Sequence, residues 1–322
     1  AALDFSFEGV IAHEIAHQWW GDLVTLRSWE HTWMNESFGT YSDYLWKVYA
    51  WESDEAAYDL RRKKNGYLRE AHNRYMRPVV FNRYEQPGQN FDSHTYPKGA
   101  CILHMLRYII GDDAFFRTLS TFLHRHEFEP VTTQDFMKCV KDVTGKNMDW
   151  FFKQFLFHPG HAVFEVSKTW DEASKTLTLK IVQTQDKWDR VPSVYRIPVN
   201  IGLQSAHGKR VEKVWLDEKT EVFQFELDAE PLLVRFDEGN FLLKEWTFLK
   251  PEEELIYQAL HDDMTGRLWA VNELQAFRKS QKTVEVWTDI ALNDSFWAVR
   301  EAAIKQLGDM KNSQYGNIFR SA

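Results

Sequence analysis

The sequence predicts a multidomain α+β chain: a helical segment over 1–157, a β-sandwich over 158–248 and the start of HEAT- or armadillo-like helical repeats over 249–322. Three observations lead there. Apolar residues recur at helical spacing through the first half, the period changes to strict alternation after His158-Pro159-Gly160, and a Trp-Ala-Val triplet occurs at 269 and again at 297. At 322 residues, 44% hydrophobic and 27% charged, the chain has enough apolar mass for buried cores, which excludes whole-chain disorder. A net charge of -8 argues against a nucleic-acid binder that works by neutralising phosphates. The longest nearly apolar stretch, Ala100 to Ile110, is broken by His104 and Arg107 and falls short of the roughly 18–20 residues a membrane span needs, so a soluble chain is expected. Two cysteines, Cys101 and Cys139, imply no disulfide scaffold.

The first helix is expected from about Phe7 to Gly21 and carries His13-Glu14-Ile15-Ala16-His17, an H-E-x-x-H motif. Spacing of i, i+4 puts both imidazoles on one helix face, one turn apart, where two ring nitrogens can bind one cation. Glu14 beside them is placed to accept a proton from a water activated by that cation. A second helix follows, with Phe38, Tyr41, Tyr44 and Leu45 at apolar spacing behind Glu36. If the two helices cross, Glu36 becomes a third ligand; two His and one Glu leave a coordination corner open, the arrangement of catalytic rather than structural zinc. One Zn²⁺ per chain is the expected cofactor. Taken without Glu36, the motif still favours a metal site, with an ordinary polar helix face as the alternative.

Further along, Asp112 opens a helix with Phe115, Phe116, Leu119, Phe122 and Leu123 on one stripe, and Thr132 or Thr133 opens another that Gly145 ends. His124 and His126 lie at i, i+2, on different helix faces, and read as surface residues. The basic run Arg61, Arg62, Lys63, Lys64, Arg69, Arg74 and Arg77 reads as a solvated helix face balanced by Asp54, Glu55 and Asp59. Tryptophans 19, 20, 29, 33, 46 and 51 are expected to fill the core behind the motif helices. Alternation predicts strands at 176–184 and 221–227, with turns at 171–175, 205–210 and 217–220. In the last segment Glu273 and Glu301 stand in matching places after the two Trp-Ala-Val triplets.

Three motifs in order give the chain its resemblance: His13-Glu14-Ile15-Ala16-His17-Gln18-Trp19-Trp20-Gly21-Asp22-Leu23-Val24-Thr25, then Trp33-Met34-Asn35-Glu36-Ser37-Phe38, then Tyr96-Pro97-Lys98-Gly99-Ala100. From about Val10 to Val166 the sequence resembles the aminopeptidase N-like zinc metallopeptidases, gluzincins that include leukotriene-A hydrolase. It departs from their usual pattern at Trp20, where they have Phe, at Met34, where they have Leu, and at Ser37, where Gly normally follows the metal-binding Glu. The resemblance implies a thermolysin-like catalytic domain, His13, His17 and Glu36 as metal ligands, Glu14 as general base and Tyr96 as donor to the oxyanion. It implies peptide or protein N-termini as substrates, with no nucleic-acid partner. The family's G-x-M-E-N element, whose Glu holds the substrate amine, precedes the motif helix and is not in this sequence, so the chain reads as a fragment lacking its N-terminal part. Asp43, seven residues after Glu36, is either an outer acceptor for a ligating imidazole or a plain surface carboxylate, and Thr40 competes with it for the first role. A catalytically inactive scaffold and a zinc endopeptidase are the alternatives left open.

Overall fold

The computed structural model describes residues 7–51, 53–185 and 190–310; the outer ends of the first and last expected segments, 1–6 and 311–322, lie outside them. The first half is helical: α1 (Glu8–Ala16), α2 (Trp33–Ala50), α3 (Ser53–Asn73), α4 (Gly99–Ile110), α5 (Asp112–Arg125), α6 (Thr133–Thr144) and α7 (Asp149–Leu156). Two short strands, β1 (Thr25–Leu26) and β2 (Pro130–Val131), pair in parallel and tie the loop after α1 to the loop before α6.

α1 is shorter than expected. Beyond Ala16 the chain tightens to bonds from Gln18 N to Ile15 O and Trp19 N to Ala16 O, then widens, with Asp22 N reaching His17 O, before Gly21 turns at φ 153°. His17 nevertheless keeps helical dihedrals as the C-cap, so its ring stays one turn above His13. α2 buries Trp33, Met34, Ser37, Phe38 and Tyr41, an i, i+4, i+8 ridge, and α4 lies against it almost wholly buried. α6 starts with a reciprocal capping box between Thr132 and Asp135 and stops at Gly145, whose φ of 68° suits a left-handed cap.

The chain then forms β3 (Ala162–Asp171), β4 (Thr176–Gln183), β5 (Ile197–Ser205), β6 (Gly208–Leu216), β7 (Thr220–Glu226), β8 (Leu233–Phe236) and β9 (Lys244–Phe248). One sheet has the order β7-β4-β3-β9 and the other β6-β5-β8. All pairings among them are antiparallel except β3 with β9. Their inner faces meet at Phe164 and Phe236, with ring centroids 5.1 Å apart. The apolar core between the sheets is continuous with that of the helices, for Phe155 of α7 stacks on Tyr195 at 5.3 Å. The turn expected over 205–210 is tighter, since Ser205 already pairs with Gly208 and residues 208–210 belong to β6.

The last helices are α8 (Glu252–His261), α9 (Met264–Glu273), α10 (Gln281–Asn293) and α11 (Trp297–Asp309), around a second core of which Ala270, Val271, Ala298 and Val299 are part. The two triplets are not in register on their helices: Trp269 lies in the middle of α9, where it stacks on Trp246 of β9 at 4.6 Å, whereas Trp297 opens α11. No helix among the described residues is long and apolar enough to cross a membrane.

Two expectations fail. The basic run on α3 is not simply a solvated face. Lys64 is buried with its ammonium on the carbonyl of Asn240, and Arg77 is buried against Asp92. Of the six tryptophans, Trp20 and Trp33 are core residues, but Trp19, Trp29, Trp46 and Trp51 are between 39% and 47% exposed. Trp19 continues the exposed stripe Phe7, Val10, Ile11 and Ile15 on the outer side of α1, and Trp46 and Trp51 both donate their indole N–H to Glu8.

Candidate metal centre and active site

α1 and α2 cross so that three acceptor atoms converge. His17 Nε2 lies 3.1 Å from His13 Nε2, and Glu36 Oε2 lies 3.3 Å from His13 Nε2 and 3.5 Å from His17 Nε2. The edges of a tetrahedron whose centre is about 2.0–2.2 Å from each corner measure roughly 3.3–3.6 Å. His17 Nδ1 is 3.0 Å from the Trp20 carbonyl, which only accepts, so Nδ1 carries a ring proton and Nε2 is the nitrogen turned toward His13 and Glu36. Two ring nitrogens converging with a carboxylate fit a cation at their centre. The Trp20 carbonyl is the outer partner that fixes the tautomer and orientation of His17.

Neither reading of Asp43 describes its surroundings. Its carboxylate pairs with Lys63 at 2.6 Å and Lys47 at 3.0 Å, both of which also engage Asp59, so it belongs to a half-buried four-charge cluster. Burial alone would raise its pKa, but Lys63 and Lys47 outweigh that and hold it below the ordinary carboxylate range. The Thr40 hydroxyl is buried and has no hydrogen-bond partner among the described residues. His124 bonds to the Ser120 carbonyl and His126 to Glu129, away from any cluster.

Glu14 is exposed beside His13; its backbone carbonyl accepts the His17 N–H, and its carboxylate makes no hydrogen bond or ion pair among the described residues. Tyr96 comes from a π-helical turn, His94–Lys98, and its ring stacks on that of His13 with centroids 6.0 Å apart and planes 17° from parallel. Burial, then the Glu36 carboxylate that its hydroxyl faces, then Glu14, push the Tyr96 pKa up, so the phenol keeps its proton. His13 is boxed in from the other side by Gly39, where a Cβ would lie 2.9 Å from its Cε1. A cavity of about 680 Å³ opens from His13 and Tyr96 past Thr40 and Asp43 toward Lys47 and Arg62.

Sequence reasoning missed three supports of this site: the Trp20 carbonyl, Gly39, and Ser37, whose hydroxyl donates to the Thr95 carbonyl at 2.5 Å. The first has no sequence signal, because any residue supplies a carbonyl. Ser37 was visible only as a departure from the usual Gly.

Residues 4–155 match the Peptidase family M1 domain, and over that segment the chain is similar to the aminopeptidase N-like peptidases. It is 29% identical over 215 residues to the tricorn protease-interacting factor F2 of Thermoplasma acidophilum, covering 66% of this chain and 26% of that protein. Against aminopeptidase N of Lactococcus lactis it is 30% identical over 165 residues, 48% of this chain and 19% of the relative. Against mitochondrial aminopeptidase 2 of Saccharomyces cerevisiae it is 24% identical over 326 residues, 94% of this chain and 32% of the relative. The crystal structure of Legionella pneumophila aminopeptidase A in complex with aspartic acid shares the fold, with a TM-score of 0.79 at 19% identity over 97% of this chain and 39% of that one. The chain thus spans between 19% and 32% of the length of these curated relatives.

Proposed function

We propose that these residues carry the catalytic centre of a zinc-dependent aminopeptidase that hydrolyses the first peptide bond of peptides or proteins. The observation that carries the reading is the convergence of His13, His17 and Glu36 side-chain atoms beside the Glu14 carboxylate and the Tyr96 ring stacked on His13. His13, His17 and Glu36 would hold Zn²⁺, which supplies Lewis acidity toward the scissile carbonyl and toward water. Glu14 takes the proton of the attacking water and returns it to the leaving amine, a role worth about 10²–10⁴ in rate. The Tyr96 hydroxyl donates to the oxygen on which negative charge develops, worth about 2.7–4 kcal/mol of barrier. The Trp20 carbonyl holds His17, and the Tyr96 ring with Gly39 holds His13, so the ligating rings need little reorganisation. In the same reading the chain divides into a catalytic domain over 1–157, a β-sandwich over 158–248 and HEAT-like repeats from 249.

The test is hydrolysis of amino-acid arylamides, free and N-blocked, by the intact protein beside Glu14→Gln. Turnover of free substrates alone, with at least about a hundredfold loss in the variant, is expected. Equal turnover of blocked substrates reassigns the chain as an endopeptidase; no bound metal and no turnover reassigns it as a scaffold; an unaffected Glu14→Gln discards the base.

A further inference from the structure

The turn that presents Tyr96 is held from outside as well as by its own backbone. It is a single π-helical turn containing Pro97, which has no N–H to give, and its own ladder includes Lys98 N to Ser93 O at 3.0 Å. Beside it lies a buried ion pair that reaches the turn through the N–H groups of His94 and Thr95 and the Thr95 hydroxyl. The Asp92 and Arg77 side chains are each 6% exposed. Asp92 Oδ1 accepts the backbone N–H groups of His94 at 2.9 Å and Thr95 at 3.2 Å together with Arg77 Nη2 at 2.6 Å. Its Oδ2 accepts Arg77 Nε at 2.9 Å and the Tyr75 hydroxyl at 2.8 Å. Arg77 in turn donates through Nη2 to the Thr95 hydroxyl at 3.0 Å and the Asn90 carbonyl at 3.2 Å, and through Nη1 to the carbonyls of Pro78 and Val79.

On its other side the turn is fixed to the metal-ligand helix. Ser37, the neighbour of Glu36, donates to the Thr95 carbonyl, and Gly99 leaves no room for anything but that hydroxyl, since a Cβ there would overlap Ser37 Oγ. The peptide between Thr95 and Tyr96 is thus pinned at its oxygen by α2, while the N–H groups just before it are pinned by Asp92.

We propose that the buried Asp92–Arg77 pair is the positioning device for Tyr96, holding its hydroxyl over the His13, His17 and Glu36 cluster. This rests on the reading of Tyr96 as the oxyanion donor. A direct role in binding substrate is excluded by saturation: every guanidinium N–H and both carboxylate oxygens already have partners within the protein. Stability alone is a poor reason for such a pair, because the desolvation of two buried charges offsets most of their attraction; a defined geometry is what it provides.

The test uses the intact protein and Asp92→Asn, which keeps the shape but turns an amide NH₂ toward donors at Arg77 Nε and the Tyr75 hydroxyl. Displacing a reacting group by about 1 Å costs on the order of a hundredfold, so kcat on arylamides is expected to fall about 10–100-fold with KM within about threefold of native and full metal content. The double variant with Tyr96→Phe should be no slower than Tyr96→Phe alone. A double variant slower by the whole Asp92→Asn factor, or Asp92→Asn with native kcat, overturns the proposal. A readout independent of turnover is 3-fluorotyrosine at position 96: one narrow ¹⁹F line in the native protein, broadened or split in Asp92→Asn; an unchanged line also overturns it. If the native protein cleaves no arylamide, the aminopeptidase reading fails while the ¹⁹F result still decides the positioning. Should Asp92→Asn not fold, Arg77→Lys, which keeps the charge but loses the Nη2 bonds to Thr95 and Asn90, takes its place with the same outcomes.

Discussion

Replacing Gly39 by alanine separates the requirements of the helix from those of the site. In an ordinary helix the change stabilises by about 1 kcal/mol. Here Gly39 is buried on α2 one turn beyond Glu36, and the added Cβ would lie 2.9 Å from His13 Cε1 and 3.0 Å from its Nδ1 and Nε2. Carbon contacts settle at about 3.5–4.0 Å, so the imidazole has to retreat by roughly 0.5–1 Å. Ligand positions tolerate only about 0.2 Å. The propensity gain and an overpacking cost of about 1–3 kcal/mol nearly offset each other, leaving folding stability within about 2 kcal/mol of native. Metal affinity is expected to fall about 10–100-fold, the scale for disturbing a ligand's support. Chelator competition gives the affinity and urea unfolding of the metal-free protein gives the stability. Native metal affinity in Gly39→Ala would refute the assignment of His13 as a ligand held against α2.

Three further outcomes follow from the same geometry. Asp59→Asn leaves Lys47 and Lys63 sharing Asp43 alone and should cost about 1–3 kcal/mol in urea unfolding near neutral pH. Because the folded pKa of Asp43 is depressed, its contribution is complete above its ordinary value of 3.8 and drains as the pH falls below it; Asp43→Asn should therefore be less stable at about pH 6 yet lose less stability than native between about pH 4 and 2. Lys98 is fully buried with no hydrogen-bond partner for its ammonium among the described residues, and burial, with Arg77 adding to it, pushes its pKa down to about 7. Between that value and the unfolded value near 10.4 the unfolded chain binds more protons, so stability rises with pH; Lys98→Met should remove that rise, raising the urea midpoint more at about pH 6.5 than at about pH 9.5.

Where local chemistry decides the structure, the sequence was readable. The i, i+4 spacing of His13 and His17 fixes their common face, Thr132 and Gly145 bracket α6, and alternation marks β4 and β7 to within a residue. Where tertiary burial decides, it was not. All four residues of β8 are buried, so no alternation announces it, and β5 is nearly as continuous. Lys64 and Arg77 look like solvent charges in a basic run, and only their partners, Asn240 and Asp92, reveal them as interior. Tryptophans at 19, 29, 46 and 51 signal apolar mass without saying which side of a helix is covered. At the site, residue types with a chemical signature were conspicuous, whereas a backbone carbonyl at Trp20, a missing Cβ at Gly39 and a capping carboxylate at Asp92 carry none.

The most direct measurement is the anomalous difference density of zinc-loaded crystals of the protein, collected on either side of the zinc edge. The account predicts one strong peak within about 2.0–2.2 Å of His13 Nε2, His17 Nε2 and a Glu36 oxygen. No peak between those atoms, or a peak bound by the two imidazoles with Glu36 turned away, would contradict it.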